Sequence, residues 1–242
     1  MIVKSAESMG MCFGVRDAIE KAENLTQFGP ITIYGDLVHN HTVVEDLKAR
    51  GAAKALRPEE VGTKRVLLTA HGTSNRVKLQ LANEGFELHD AVCPLVTRAH
   101  QALHKLIDDG RFPVVIGQRG HVEVRGLVED LDDYEIVLDE ADLGRLKGHS
   151  RLGVIAQTTQ PIDNVLKLVD RIKERFPDAD VRFVDTVCQP TKDRQDSLKQ
   201  LARETELVVV VGGPESNNSK KLVELARSLG KPAYLVGGPE EL

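Results

Sequence analysis

The sequence predicts an α/β protein made of three pseudo-equivalent units, each with a small parallel sheet. Two observations predict this. First, short Val- and Ile-rich runs alternate with longer polar stretches whose apolar residues recur at helical spacing, as in parallel sheets covered by helices. Second, the surroundings of the three cysteines repeat. Asp90-Ala-Val-Cys93 and Asp185-Thr-Val-Cys188 share the pattern Asp-x-Val-Cys, each followed by a proline (Pro94, Pro190) and an arginine (Arg98, Arg194). Cys12 lies in Met9-Gly-Met-Cys12-Phe-Gly-Val-Arg16. The periods between cysteines are 81 and 95 residues, which divides the chain into units 1–92, 93–187 and 188–242, the third cut short.

In chain order, Ile31–Tyr34, Val66–Thr69, Val114–Ile116, Gly153–Ala156, Val181–Val184 and Val208–Val211 read as strands. Between them, Val43–Arg50, Arg98–Asp109, Val165–Arg175 and Lys220–Leu229 carry helical periodicity. A strand-to-glycine turn follows each cysteine at nearly constant distance: Gly35 is 23 residues after Cys12, Gly117 is 24 after Cys93 and Gly212 is 24 after Cys188. A second polar loop follows further on, holding His71 in the first unit and Thr158 in the second. Three equivalent loops around a pseudo-threefold axis would bring the cysteines to one point.

The 242 residues are 41% apolar but only 4% aromatic, without Trp, so the core must be aliphatic. With 32 basic and 37 acidic residues the net charge is −5, and no long basic run occurs, which argues against nucleic-acid binding. No apolar stretch approaches the roughly 18 residues that span a bilayer. The amino terminus lacks a secretory signal, so a cytoplasmic protein is expected. Three cysteines in a reducing compartment argue against disulfides.

Three converging thiolates suit an iron–sulfur cube with one iron left open, since a purely electron-carrying cluster takes four cysteines. An open iron acts as a Lewis acid. Zinc also binds thiolates, but structural zinc sites use close cysteine pairs, absent here. Three unconnected core thiols are the remaining alternative.

His41, His89, His100, His104 and His149 sit in helical or surface contexts. His39, His71 and His121 each follow a short apolar strand, where α/β proteins bind ligands. Gln157-Thr158-Thr159, Thr191 and Ser216-Asn217-Asn218-Ser219 add hydroxyls, amides and a helix start. Together they suggest a cradle for a phosphate or diphosphate. In an extended segment Glu123 would point to the same side as His121, making it a candidate proton donor.

These motifs resemble the 4-hydroxy-3-methylbut-2-enyl diphosphate reductases, an iron–sulfur family of the non-mevalonate isoprenoid pathway. The likeness runs through Gly10-Met-Cys12-Phe-Gly-Val, Val38-His39-Asn40, Ala70-His71-Gly72, Cys93-Pro94-Leu-Val-Thr97, Gly120-His121-Val-Glu123-Val-Arg-Gly126, Gln157-Thr158-Thr159, Asp185-Thr-Val-Cys188 and Ser216-Asn217-Asn218-Ser219. It implies a trefoil of three α/β units around a central [4Fe–4S] cluster on Cys12, Cys93 and Cys188. It also implies that the substrate hydroxyl meets the open iron. The diphosphate would be held by His39, His71, His121, Ser216, Asn217 and Asn218, with Glu123 supplying protons through Thr158. Two electrons, from a ferredoxin or flavodoxin, and two protons would then remove water, giving isopentenyl and dimethylallyl diphosphate. A monomer or weak dimer is expected. Many relatives have two serines where this chain has Ser216 and Asn217. The family also continues for several tens of residues past Leu242, with a further serine for the diphosphate. Two other readings stand beside the reductase: a non-redox hydro-lyase with an open-iron cluster, and an inactive shortened protein that binds a cluster or diphosphate.

Overall fold

The structure, a computed structural model, describes residues 2–241. Its elements repeat in order. The first unit holds helix α1 (Phe13–Thr26), strand β1 (Ile31–Tyr34), α2 (His41–Ala49), β2 (Ala52–Ala55), β3 (Arg65–Leu68), α3 (Asn75–Asn83) and β4 (Glu87–Asp90). The second holds α4 (Pro94–Asp108), β5 (Phe112–Ile116), α5 (Val122–Val128), β6 (Glu135–Val137), β7 (Arg151–Ala156), α6 (Ile162–Arg175) and β8 (Asp180–Phe183). The third holds α7 (Gln189–Glu204), β9 (Val208–Val211), α8 (Asn217–Ser228) and β10 (Ala233–Val236).

The sheets have the orders β2-β1-β3-β4, β6-β5-β7-β8 and β10-β9, and every strand pairing among the described residues is parallel. The first two orders are the same permutation, and β10-β9 repeats its first two members. This is the α/β architecture of small parallel sheets that the cysteine spacing predicts. Parallel strands need helical crossovers, which cover both faces of central strands such as β7 and keep them apolar, whereas the two-stranded third sheet leaves Val209, Val211 and Tyr234 exposed. In β7, Leu152, Val154, Ile155 and Ala156 are fully buried. Helix α6 covers it with Val165, Leu168, Val169 and Ile172, spaced three and four apart.

The strand-end glycines occupy equivalent places for different reasons. Gly35 is left-handed, at φ 99°, a conformation glycine adopts without strain. A Cβ on Gly117 would stand 2.9 Å from Val124 Cγ2. One on Gly212 would overlap the Ser219 hydroxyl at 2.2 Å.

Four strands did not announce themselves in the sequence: β2, β4, β6 and β10. The first three lie at sheet edges, and β2 (Ala-Ala-Lys-Ala) and β4 (Glu-Leu-His-Asp) carry little apolar alternation because one side of each is exposed. Helix α4 begins at Pro94 instead of Arg98, since proline is favoured in a first helical turn.

Candidate active site

Each cysteine takes the same local position, the residue capping the start of a helix: Cys12 before α1, Cys93 before α4 and Cys188 before α7. All three have extended backbone, and none uses its side chain to cap, so each thiol is free. The backbone pins them to strand ends: Cys93 N–H donates to the Ala70 carbonyl at 3.1 Å, and Cys188 N–H to the Thr158 carbonyl at 3.0 Å. The Cys188 sulfur lies 3.0 Å from the Thr191 hydroxyl. The first two units meet at the thiols, because a Cβ on Gly14 would stand 2.5 Å from Cys93 Sγ. Gly14 is two residues past Cys12, and only glycine admits that approach. Burial pushes the Cys93 and Cys188 thiols up, and the charges of Cys12 and Glu123 push the same way.

The three strand-end histidines converge. Ring centroids are 4.8 Å apart for His39 and His71, 6.0 Å for His71 and His121, and 6.2 Å for His39 and His121. His71 Nδ1 lies 3.1 Å from the Asp36 carbonyl, which can only accept, so Nδ1 carries the hydrogen and Nε2 is the free position. His121 Nδ1 accepts the Glu123 N–H at 3.1 Å and caps α5. His39 Nε2 is buried without a partner. Burial, then the neighbouring imidazoles, hold His71 down to about 3. Burial, then His39 and Lys220, hold His121 down to about 4. His39 is lowered by burial, with Asp36 and Glu215 opposing.

Helix α8 points its start at this cluster. A Cβ on Gly213 would sit 2.2 Å from the His39 carbonyl oxygen, so the loop before α8 lies directly on the backbone of the first unit. Ser216 caps the helix, accepting from Ser219 N–H at 3.3 Å. Asn217 Nδ2 donates to Thr159 Oγ1 at 2.7 Å, while its Oδ1 is buried without a partner. Asn218 follows it, half-buried. A helix N-terminus, three imidazoles and the unpartnered His39 Nε2 suit a strongly charged anion.

Glu123 is fully buried, 1% exposed. It is not in an extended segment beside His121; it belongs to the first turn of α5. Its carboxylate takes two bonds from Thr158, from the backbone N–H to Oε1 at 2.6 Å and from the hydroxyl to Oε2 at 2.9 Å. Burial pushes its pKa up to about 7, although both bonds from Thr158 oppose the shift. The pair links the two halves of the site: Glu123 N–H reaches His121, and the Thr158 carbonyl holds Cys188.

Thr159, Lys220 and Glu215 were not singled out individually by the sequence. Thr159 anchors Asn217, and the two charges bear on His39. Thr159 was indicated only as the last member of the Gln-Thr-Thr run, and Lys220 and Glu215 only by flanking Ser-Asn-Asn-Ser. Of the five histidines set aside, His41, His100 and His104 are helical and His89 is in β4. His149 stacks on Phe112 with centroids 3.6 Å apart.

Comparisons with known proteins agree with this geometry. The family model described as LytB protein matches residues 3–242. The 4-hydroxy-3-methylbut-2-enyl diphosphate reductases of Pseudomonas putida (strain W619) and Ectopseudomonas mendocina (strain ymp) are each 39% identical over 252 residues, covering 100% of this chain and 80% of theirs. The solved E-1-hydroxy-2-methyl-but-2-enyl-4-diphosphate reductase from Plasmodium falciparum superposes with a TM-score of 0.91 at 28% identity, over 98% of this chain and 76% of that one. A second solved (E)-4-hydroxy-3-methyl-but-2-enyl diphosphate reductase gives 0.71 at 31% identity, over 98% and 86%. On the family-model match and the similarity along this whole chain, it belongs to the LytB family of 4-hydroxy-3-methylbut-2-enyl diphosphate reductases.

Proposed function

We propose that this chain is an iron–sulfur oxidoreductase that removes the hydroxyl of 4-hydroxy-3-methylbut-2-enyl diphosphate reductively, yielding isopentenyl and dimethylallyl diphosphate. The observation that carries this reading is the buried Glu123–Thr158 pair, bonded on one side to an imidazole of the anion cradle and on the other to a cysteine. An acid poised near neutrality therefore lies between the groups that would hold a diphosphate and those that would hold a metal centre.

The residues present fit a [4Fe–4S] cluster. Among the described residues no three His, Cys, Asp or Glu side chains are close enough to grip a single ion. A mononuclear thiolate site needs metal–sulfur bonds of about 2.3 Å and thus sulfurs nearly in contact. A cube gives each cysteine its own iron and spaces the sulfurs more widely. Cys12, Cys93 and Cys188, free and on three helix starts, would hold it. Bound there, the cluster supplies electrons and an open, Lewis-acidic iron.

The chain's own residues do the rest. His39, His71, His121, Ser216, Asn217 and Asn218 bind the diphosphate and fix the reacting end by a remote anchor. His71 reaches the anion through Nε2 only after taking up a proton there. Glu123 holds a proton on its carboxyl; when the Thr158 hydroxyl turns its own hydrogen to the departing hydroxyl, Thr158 Oγ1 accepts that proton as it gives up its own, and the hydroxyl leaves as water. Each turnover also takes two electrons from the donor and a second proton, which goes to carbon as the product forms.

We assign the units to 1–92, 93–187 and 188–242, each opening at or near its cysteine. The electron donor is a ferredoxin or flavodoxin, and free thiols in all three units suit a reducing cytoplasm. No helix among the described residues is long and apolar enough to cross a membrane. Anaerobic turnover with a reduced dye as donor tests the function: product formation that depends strictly on the reductant supports it, and conversion without any donor contradicts it.

A further inference from the structure

Three cations in the structure form a closed set that the catalytic reading does not use. Each lies on a cysteine-led helix, and each donates to a backbone carbonyl just before the next unit's cysteine. Lys21 Nζ on α1 reaches the Asp90 carbonyl at 2.5 Å, three residues before Cys93. Arg98 Nη2 on α4 reaches the Asp185 carbonyl at 3.2 Å, three residues before Cys188. Arg194 Nη2 on α7 reaches the Gly10 carbonyl at 2.8 Å, two residues before Cys12. The helix led by one cysteine holds the segment that leads into another: α1 the approach to Cys93, α4 the approach to Cys188 and α7 the approach to Cys12.

We propose that Lys21, Arg98 and Arg194 are positioning residues that lock the three cysteine loops as a ring around the metal centre. The proposal rests on the cluster assignment above. The local chemistry explains why a carbonyl is free to be held. Asp90 Oδ1 accepts the Val92 N–H at 2.8 Å, and Asp185 Oδ1 accepts the Val187 N–H at 3.0 Å. That is a side-chain-closed turn, which leaves the aspartate's own carbonyl facing outward. The Asp-x-Val-Cys motif is thus a loop made to be clasped by a neighbour. Charge-assisted bonds to a carbonyl are stronger than neutral ones. In this cyclic arrangement the approach to each cysteine is held by a helix that a different cysteine starts.

The arrangement gives a test that separates positioning from general stability. The full chain, reconstituted with iron and sulfide, is challenged with a chelator in the presence of iodoacetamide. Peptide mass spectrometry then reads the labelling of each cysteine over time. Arg98→Met should speed labelling of Cys188 at least threefold relative to the other two cysteines. Arg194→Met should do so for Cys12, and Lys21→Met for Cys93. Arg98→Lys and Arg194→Lys, which keep a cation, should restore the parent order and serve where a Met variant does not accumulate. An unchanged labelling order in all three Met variants would overturn the ring, as would a uniform rise at all three cysteines. If the parent chain itself takes up no iron, the cluster assignment fails instead, and the two failures are told apart by that iron count.

Discussion

Thr158 donates twice to Glu123, from its backbone N–H at 2.6 Å and from its hydroxyl at 2.9 Å, and this carboxyl still sits at a pKa of about 7. Two bonds that favour the charged form are outweighed by burial. The carboxyl is therefore protonated in a substantial fraction of molecules at neutral pH, and Thr158 Oγ1 is its exit.

Glu123→Gln keeps the shape of the pair but has no acidic proton. Turnover should fall by about 10² or more. Iron content and diphosphate affinity should be unchanged, measured by iron analysis and calorimetry. Near-normal turnover in this variant would remove Glu123 from the chemistry.

The same group sets a pH dependence. A general acid works in its protonated form, so kcat should decline as pH rises through about 7. Stability follows the same sign. The folded pKa is raised above the unfolded value of 4.5, so the protonated carboxyl is well tolerated below about 4.5. Stability is then lost as pH rises toward and through about 7. Melting curves of parent and Glu123→Gln at pH 5 and pH 8 check this: the parent should lose more on going to pH 8.

Binding of pyrophosphate should take up protons. His71 and His121 sit near 3 and 4, so both are neutral at pH 7; a bound anion raises the affinity of His71 Nε2 for a proton, whereas His121, whose Nδ1 accepts from Glu123 N–H, donates from Nε2 as it stands. Calorimetry in two buffers of different ionisation enthalpy should show net uptake at pH 6 to 7 and tighter binding at the lower pH. His121→Asn retains a helix-capping side chain. It should lose roughly ten- to a hundredfold in pyrophosphate affinity, the worth of one charged hydrogen bond at about 1.5–3 kcal/mol.

Gly213→Ala places a methyl against the His39 carbonyl. The overlap is with backbone, which cannot swing aside, so stability should fall by about 1–3 kcal/mol. Pyrophosphate affinity should fall with it, because the start of α8 must move off His39. A thermal melt and a binding isotherm read both. An unchanged melting temperature would mean that the third unit does not press on the first there.

Much of this was visible in the chain, for reasons that differ by residue. The Asp-x-Val-Cys repeat could be seen because a turn closed by its own aspartate and a helix started by proline need the same residues twice. The central strands could be seen because burial on both faces keeps them continuously apolar. Edge strands β2 and β4 could not, since half their surface meets water and their composition is that of a loop. The histidine triangle was indicated only as three similar strand ends; the loop before α8 lies on the backbone of His39 because Gly213 carries no side chain, and Gly126 lies against the Gly72 backbone at ordinary contact distance. A Cβ on Gly126 would stand 3.4 Å from the Gly72 carbonyl. The placement of Glu123 came from α5 starting earlier than an extended reading allows. Contacts between segments far apart in the chain leave no local signal, so the Asn217–Thr159 bond and the cation clasps emerged only from the fold, although Thr159, Arg98 and Arg194 were visible in their motifs.

The central claim is that Cys12, Cys93 and Cys188 share one cluster with an open iron. Anaerobic reconstitution of the full chain with iron-57, followed by Mössbauer spectroscopy with and without substrate, tests it most directly. The account predicts about four irons per chain, of which one has a distinct signal that shifts when substrate is added, with the whole signal lost in Cys93→Ser. Four equivalent irons that ignore substrate, or a full signal in Cys93→Ser, would contradict it.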